Sequence, residues 1–95
     1  MNIDEIQKRL DKFAKDRDWD QFHSPKNLTM ALSVEVAELV EIFQWSNSGG
    51  FDEINDLETR KKIEEEVADI FIYLLKISAK LNLDLTHTLR LSKNE

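Results

Sequence analysis

Residues 25–45, with the sequence PKNLTMALSVEVAELVEIFQW, form the stretch that decides the fold. Drawn as a helix, this segment has apolar side chains on nearly every face, which is typical of a helix buried among others. Ser24 precedes it as a capping residue, and Pro25 takes the first helical position, which proline favours. We therefore predict a long, buried second helix over Lys26 to Trp45. We expect residues 46–50, SNSGG, to end it, and either Gly49 or Gly50 can adopt the left-handed cap conformation.

Three more helices are predicted around this one. The first is amphipathic, with apolar residues at three- and four-residue spacing. The third begins after Asp56 as its cap and runs to Leu81, and a turn over residues 82–84 leads to a short fourth helix. The apolar positions that define them are Ile3, Ile6, Leu10 and Phe13, then Ile63, Val67, Ile70, Leu74, Ile77 and Leu81, then Leu85, Leu89 and Leu91. Four helices without a strand pattern predict an all-α, four-helix bundle-like protomer, with residues 1–95 as a single domain.

The composition excludes several classes of protein. The 95 residues contain no cysteine, which excludes a disulfide scaffold, a cysteine zinc site and a thiol nucleophile. The net charge of −6 argues against a protein that binds a nucleic acid polymer through its phosphates. The longest apolar run, Ile70 to Leu75, is far shorter than the roughly 20 residues of a membrane span, and no signal-peptide pattern opens the chain. We therefore expect a cytoplasmic protein without a membrane or nucleic-acid partner.

Carboxylates interrupt the two most apolar helices. Glu35 and Glu38 are three residues apart and share one face of the second helix, and Glu66 and Asp69 repeat this spacing on the third. An unpaired carboxylate is costly to bury, so such groups are neutralised, paired or bound to metal. Two facing pairs offer only oxygen ligands, which predicts a site for Mg²⁺ or Mn²⁺ rather than zinc. The alternative is a solvated face, or salt bridges to basic residues at positions 60, 76 and 80.

Aromatic side chains follow these acids on both helices. Trp45 comes seven residues after Glu38, and Tyr73 comes seven after Glu66, two turns along the same face in each case. The rise over seven helical residues is about 10 Å, comparable with the span from the phosphates of a nucleotide to its base. Acids that hold Mg²⁺ against phosphates, with aromatics that stack on a base, fit this layout. The alternative is that both aromatic residues belong to an ordinary core.

Three segments carry a resemblance to a known family. They are RDWDQFHSPKNL at residues 17–28, EVAELVEIFQW at residues 35–45 and EEVADI at residues 65–70. Together they resemble the all-α NTP pyrophosphohydrolases of the MazG type, and within that group the dCTP pyrophosphatase branch. The resemblance covers about residues 5–93, which is nearly the whole chain.

The resemblance implies an activity, an assembly and a set of site residues. It implies a homotetramer, built as a dimer of dimers, that hydrolyses a deoxynucleoside triphosphate, with dCTP or a related nucleotide favoured, to the monophosphate and pyrophosphate in the upkeep of the nucleotide pool. It implies Mg²⁺ as the cofactor. The implied metal ligands are Glu35, Glu38, Glu66 and Asp69, and the implied base pocket involves Trp19, His23, Trp45 and Tyr73, with residues arriving from a neighbouring subunit.

Some roles stay open at the level of sequence. Glu35, Glu38 and Glu41 are the candidates for the group that accepts the proton of the attacking water. The candidates for a positive charge beside the leaving pyrophosphate are Lys26, Lys76 and Arg60, and Lys93 is a further candidate phosphate contact. Two rival functions use the same residues differently: a non-catalytic helical oligomerisation module with surface acids, and a nucleotide sensor that binds without turnover.

Overall fold

The predicted helices are all present. The computed structural model describes residues 2–16, 23–50 and 53–93, apart from the side chains at positions 14, 53, 92 and 93. The helices are α1 (Ile3–Asp16), α2 (Pro25–Phe43), α3 (Leu57–Lys80) and α4 (Leu85–Lys93), and a short 3-10 helix over Glu53–Asn55 leads into α3. No strand occurs among the described residues, and the all-α prediction is confirmed.

Both predicted N-caps are formed. The Ser24 hydroxyl accepts a hydrogen bond from the backbone N–H of Asn27 at 3.1 Å, at the start of α2. The Asp56 carboxylate accepts one from the N–H of Thr59 at 3.2 Å, at the start of α3. Each cap satisfies one of the N–H groups that a helix start leaves without an internal partner, so the sequence sets where both helices begin.

The end of α2 differs from the prediction. The helix ends at Phe43 with Gln44 as its C-cap in right-handed conformation, two residues before Trp45. The Ser46 N–H donates to the Phe43 carbonyl at 2.9 Å, and this turn closes the helix before the glycines are reached. The Gly49–Gly50 pair does adopt left-handed backbone angles, with φ of 78° and 95°, but in the loop beyond the cap. The helix therefore ends before residues 46–50, and its C-cap is Gln44 rather than a glycine, whereas the left-handed conformation predicted for the glycines is confirmed.

Helices α2 and α3 form the main helix pair, and they run antiparallel. Leu28 near the start of α2 lines a cavity with Leu75 near the end of α3, whereas Phe43 at the end of α2 lines another with Ile63 near the start of α3. Helix α1 packs against the later part of α3, where the Gln7 side-chain amide donates to the Leu75 carbonyl at 3.4 Å. This antiparallel register decides which side chains of α2 and α3 meet.

The core within one chain is small. Leu28 and Leu75 are the fully buried apolar side chains among the described residues, at 2 % and 1 % exposure. Much of α2 stays open, against the expectation of a helix buried on all faces, because α3 covers only one stripe of it. The exposed apolar side chains of this surface, which we call the open face of α2, are Met30, Val34, Val36 and Val40.

The dimensions of the chain agree with this open arrangement. Its accessible surface is 7586 Å², whereas a monomeric protein of this mass exposes about 5,700 Å². Its radius of gyration is 15.9 Å, against about 12 Å for a compact domain of this length. A single chain therefore leaves unburied a large area that a compact domain of its size would cover.

Within the described residues, no helix has both the length and the apolar character that crossing a membrane requires.

Candidate metal centre

Three carboxyl groups converge in the middle of the α2–α3 pair. Glu35 and Glu38 from α2 and Glu66 from α3 each offer an oxygen, and these oxygens all lie within 4.8 Å of one another. Glu35 and Glu66 are half-buried, and Glu38 is exposed. The three-residue spacing on α2 brings two acids to one face, and the antiparallel register brings the third opposite them.

The electrostatics of this acid cluster single out Glu66. Its Oε2 atom is buried and has no hydrogen-bond donor in the part of the chain that the structure describes. An ionised carboxylate has no proton to share, so three ionised groups repel one another and leave this atom unsatisfied. Hydrogen bonding to the Glu35 carboxyl, then burial, then the Glu38 carboxyl and the charges of both neighbours raise the pKa of Glu66 to about 7. Near neutral pH, either a proton on Glu66 or a bound cation would relieve this repulsion.

The donor set suits a hard divalent cation. All three groups present oxygen, and one of the two Glu66 oxygens, Oε2, is buried without a hydrogen-bond partner among the described residues. Oxygen-only ligands favour Mg²⁺ or Mn²⁺ over zinc, and a divalent charge removes the repulsion that raises the pKa of Glu66. The residues present thus fit the cation that the sequence led us to expect.

A groove of about 440 Å³ opens beside the acid cluster. Glu38, Glu41 and Ile42 line it from α2, and Lys62 and Glu66 line it from α3. We call it the acid groove. Glu41 was predicted near this site, whereas no role was predicted for Lys62 from the sequence. The helical spacing could have indicated Lys62, because it lies four residues before Glu66 and therefore on the same face of α3.

The other acidic and aromatic candidates do not converge with the acid cluster as the sequence predicted. Asp69 is exposed and does not belong to the group of three carboxyl oxygens. Tyr73 is half-buried, with the Lys76 ammonium 5.3 Å from its ring centroid, and Trp45 is 85 % exposed. Because α2 and α3 are antiparallel, Trp45 lies beyond one end of the acid cluster and Tyr73 beyond the other, each by about 10 Å along the helices. One base therefore does not reach both aromatics of a single chain.

Two of the remaining candidates, His23 and Lys26, lie near the start of α2. His23 is half-buried and lines a small cavity with Asp11 and Lys76. Lys76 is ten residues after Glu66 on α3, so this cavity is about 15 Å from the acid cluster along the helix. Lys26 is exposed, about 13 Å before Glu35 on α2. Trp19 lies outside the described residues, as does the side chain at position 93, the predicted phosphate contact Lys93.

Comparison with known proteins gives concordant matches. The chain is 41 % identical to dCTP pyrophosphatase 1 of Homo sapiens over 85 residues and 39 % identical to that of Rattus norvegicus over 84 residues. Each match covers 87 % of this chain and 49 % of the relative, so the chain spans about half the length of these curated relatives. It is also similar to the crystal structure of a pyrophosphatase from Archaeoglobus fulgidus DSM 4304, with a TM-score of 0.82 and 36 % identity, over 97 % of this chain and 87 % of that one.

A family model supplies the assignment. The model of the MazG-like family matches residues 30–94, which include α3, α4, most of α2 and every member of the acid cluster. The match, the all-α architecture and the convergence of glutamates from two antiparallel helices agree. The chain belongs to the MazG-like family.

Proposed function

We propose that this chain is a metal-dependent nucleoside triphosphate pyrophosphohydrolase that converts a deoxynucleoside triphosphate to the monophosphate and pyrophosphate. The observation that carries the proposal is the acid cluster, in which three carboxyl oxygens lie within 4.8 Å of one another and the buried Glu66 Oε2 has no donor among the described residues. Mg²⁺ is the proposed cofactor, with Mn²⁺ as an alternative, and Asp69 is a further proposed ligand. The names of the similar proteins favour dCTP or a related nucleotide as substrate. We take residues 1–95 as one domain.

The chemistry follows from charge. A triphosphate approaching several carboxylates meets strong repulsion, so the acid cluster binds it only together with cations. Glu35, Glu38 and Glu66 would hold Mg²⁺, which would polarise the phosphoryl oxygens and lower the pKa of a nearby water. In the reaction, a water oxygen forms a bond to the α-phosphorus, the bond from that phosphorus to the bridging oxygen breaks, and pyrophosphate leaves.

The proton of the attacking water goes to a carboxylate of the acid groove. Glu35, Glu38 and Glu41 are the candidates from the sequence. Glu41 lines the acid groove beside Glu38 but lies outside the group of three converging oxygens, so cation binding leaves it available. We therefore propose Glu41 as the general base, with a contribution of about 10²-fold or more to the rate. The Glu41→Gln variant should then lose turnover while keeping its affinity for Mn²⁺.

The base pocket is proposed to form between copies of the chain. Trp45 and Tyr73 lie on opposite sides of the acid cluster, and Trp45 is 85 % exposed, so a base needs side chains from a second copy to be enclosed. The open face of α2 offers the apolar surface for such an association. We propose the homotetramer built as a dimer of dimers, with Trp19 and His23 contributing to the pocket and Lys26 and Lys93 to phosphate binding. Light scattering after gel filtration measures the mass directly, and a monomer at micromolar concentration would contradict this assembly.

The activity is tested by pyrophosphate release. Wild-type protein is assayed with dCTP, the other deoxynucleoside triphosphates and modified ones, in Mg²⁺ or Mn²⁺. We expect release from at least one of them, with strong losses in Glu38→Gln and Asp69→Asn and none in Glu65→Gln, an exposed neighbour of the acid cluster. Undiminished release in both of the first two variants would refute the metal assignment.

Two outcomes would favour the rival functions. Nucleotide-induced thermal stabilisation without any pyrophosphate would indicate a sensor. A melting temperature that responds to neither divalent cations nor nucleotides would indicate an oligomerisation module with surface acids.

We also propose a cytoplasmic location without nucleic-acid-polymer or membrane partners, which fractionation of cells that express the protein tests.

A further inference from the structure

The acid groove contains a basic side chain to which no role has been given so far. Among its lining residues, Lys62 is the cation, and the others include Glu38, Glu41 and Glu66. Lys62 is exposed and forms no salt bridge with the described residues, although it lies one turn from Glu66. A lysine beside several acids that pairs with none of them has its ammonium available for another anion.

The position of Lys62 matches the charge of the substrate. In the proposed reaction the α-phosphate lies at the acid cluster, where the water attacks. The β- and γ-phosphates carry most of the remaining charge and become the leaving group. Lysine presents a compact charge with three donors on a flexible stem, which suits phosphate oxygens whose position changes as they depart. The basic candidates from the sequence lie elsewhere, since Arg60 lines the separate cavity next to Phe43 and Lys76 lies over Tyr73.

We propose that Lys62 binds the β- and γ-phosphates of the nucleoside triphosphate and stabilises the pyrophosphate as it leaves. The inference rests on the proposed function, because it assigns a phosphate contact within the same site. It also explains why the cation stands in the acid groove without an acidic partner. In the loaded site its partner is the pyrophosphate portion of the substrate.

The chain offers a matched control in the next residue. Lys61 is exposed on the same helix, carries the same charge and does not line the acid groove. Lys62→Gln and Lys61→Gln therefore change the net charge equally and differ only in whether the groove loses its cation. We expect kcat/KM to fall about tenfold or more in Lys62→Gln, as for loss of a hydrogen bond to a charged group, and to stay near wild type in Lys61→Gln.

Product inhibition separates phosphate binding from a structural role. Inhibition by pyrophosphate should weaken about tenfold or more in Lys62→Gln, whereas inhibition by the nucleoside monophosphate should not change. If Lys62 only offsets the charge of the acids, its removal would tighten Mn²⁺ binding and leave pyrophosphate inhibition intact, which would overturn the proposal. Equal effects of the two substitutions would overturn it as well.

A direct binding measurement tests the contact between Lys62 and phosphate independently of the proposed activity. Calorimetry with pyrophosphate in the presence of Mn²⁺ measures the contact without turnover. If the wild-type protein releases no pyrophosphate from any nucleotide but binds pyrophosphate more tightly than Lys62→Gln does, the proposed function fails and the phosphate contact stands. If wild type and Lys62→Gln bind pyrophosphate equally, the contact is refuted whatever the activity.

Discussion

Replacing Glu66 by glutamine should separate the two ways in which the acid cluster is neutralised. At free Mn²⁺ one hundred times its Kd, binding stabilises the folded wild type by about 2.7 kcal/mol. For a domain of this size that raises Tm by about 10–20 °C. Glu66→Gln removes one of the three converging carboxylates, and a 100-fold loss of affinity would leave a shift of only about 2–3 °C at the same Mn²⁺ concentration. In metal-free buffer above pH 7 the variant should melt higher than wild type, because it lacks the repulsion that raises the pKa of Glu66.

The assay is thermal unfolding followed by circular dichroism, with Mn²⁺ or with EDTA, at one protein concentration. Glu65→Gln is the matched control, because it removes the same charge from the adjacent, exposed position. It should keep the full wild-type response to Mn²⁺. A role for Glu66 in cation binding would be refuted if Glu66→Gln responded to Mn²⁺ as wild type does, or if Glu65→Gln lost the response to the same degree.

Three further predictions concern pH and packing. Folding raises the pKa of Glu66 from 4.5 to about 7, so ionising this group as pH rises through that range destabilises the folded wild type. In EDTA, the Tm of wild type should therefore fall relative to that of Glu66→Gln over the same range. A difference in Tm that does not depend on pH would contradict this. Leu75→Ala, at a side chain 1 % exposed, should cost about 2–5 kcal/mol in urea unfolding, and a loss under 1 kcal/mol would mean that the site is not packed. Gly50→Ala should destabilise the fold more than Gly49→Ala. Both positions have a positive φ, but only at position 50 would the new Cβ lie 2.5 Å from the Phe43 ring. Equal melting temperatures of the two variants would contradict that contact.

Local signals predicted the fold well. Ser24 with Pro25 and Asp56 mark helix starts because capping is chemistry within one turn, and the structure forms both caps. The end of α2 was harder to predict. Nothing between Phe43 and the glycines forbids another turn of helix, so the competition between helix and the Ser46 turn was invisible in the sequence.

Only part of the site could be predicted, because spacing along one helix does not determine how that helix packs against another. The spacing of Glu35 and Glu38 fixes a face of one helix, and the apolar surroundings of Glu66 suggested that it faces them. Spacing along each helix does not say in which direction two helices run past each other. That direction decides that Trp45 and Tyr73 flank the acid cluster from opposite sides, and it brings the α2 acids beside Lys62.

Cation binding and association of the chain should favour each other. Val34, on the open face of α2, is four residues before Glu38 and therefore neighbours it on the helix surface. A second copy that covers Val34 takes water away from Glu38, which is unfavourable for a carboxylate unless a cation is bound. By linkage, whatever factor tightens cation binding in the assembly also tightens assembly in the presence of the cation, and couplings of about fivefold or more are usual. Sedimentation of the wild type in Mn²⁺ and in EDTA measures this factor, with Val34→Thr as a variant that weakens association while leaving every acid in place. Equal association constants in the two buffers would show that the open face of α2 and the acid cluster are independent.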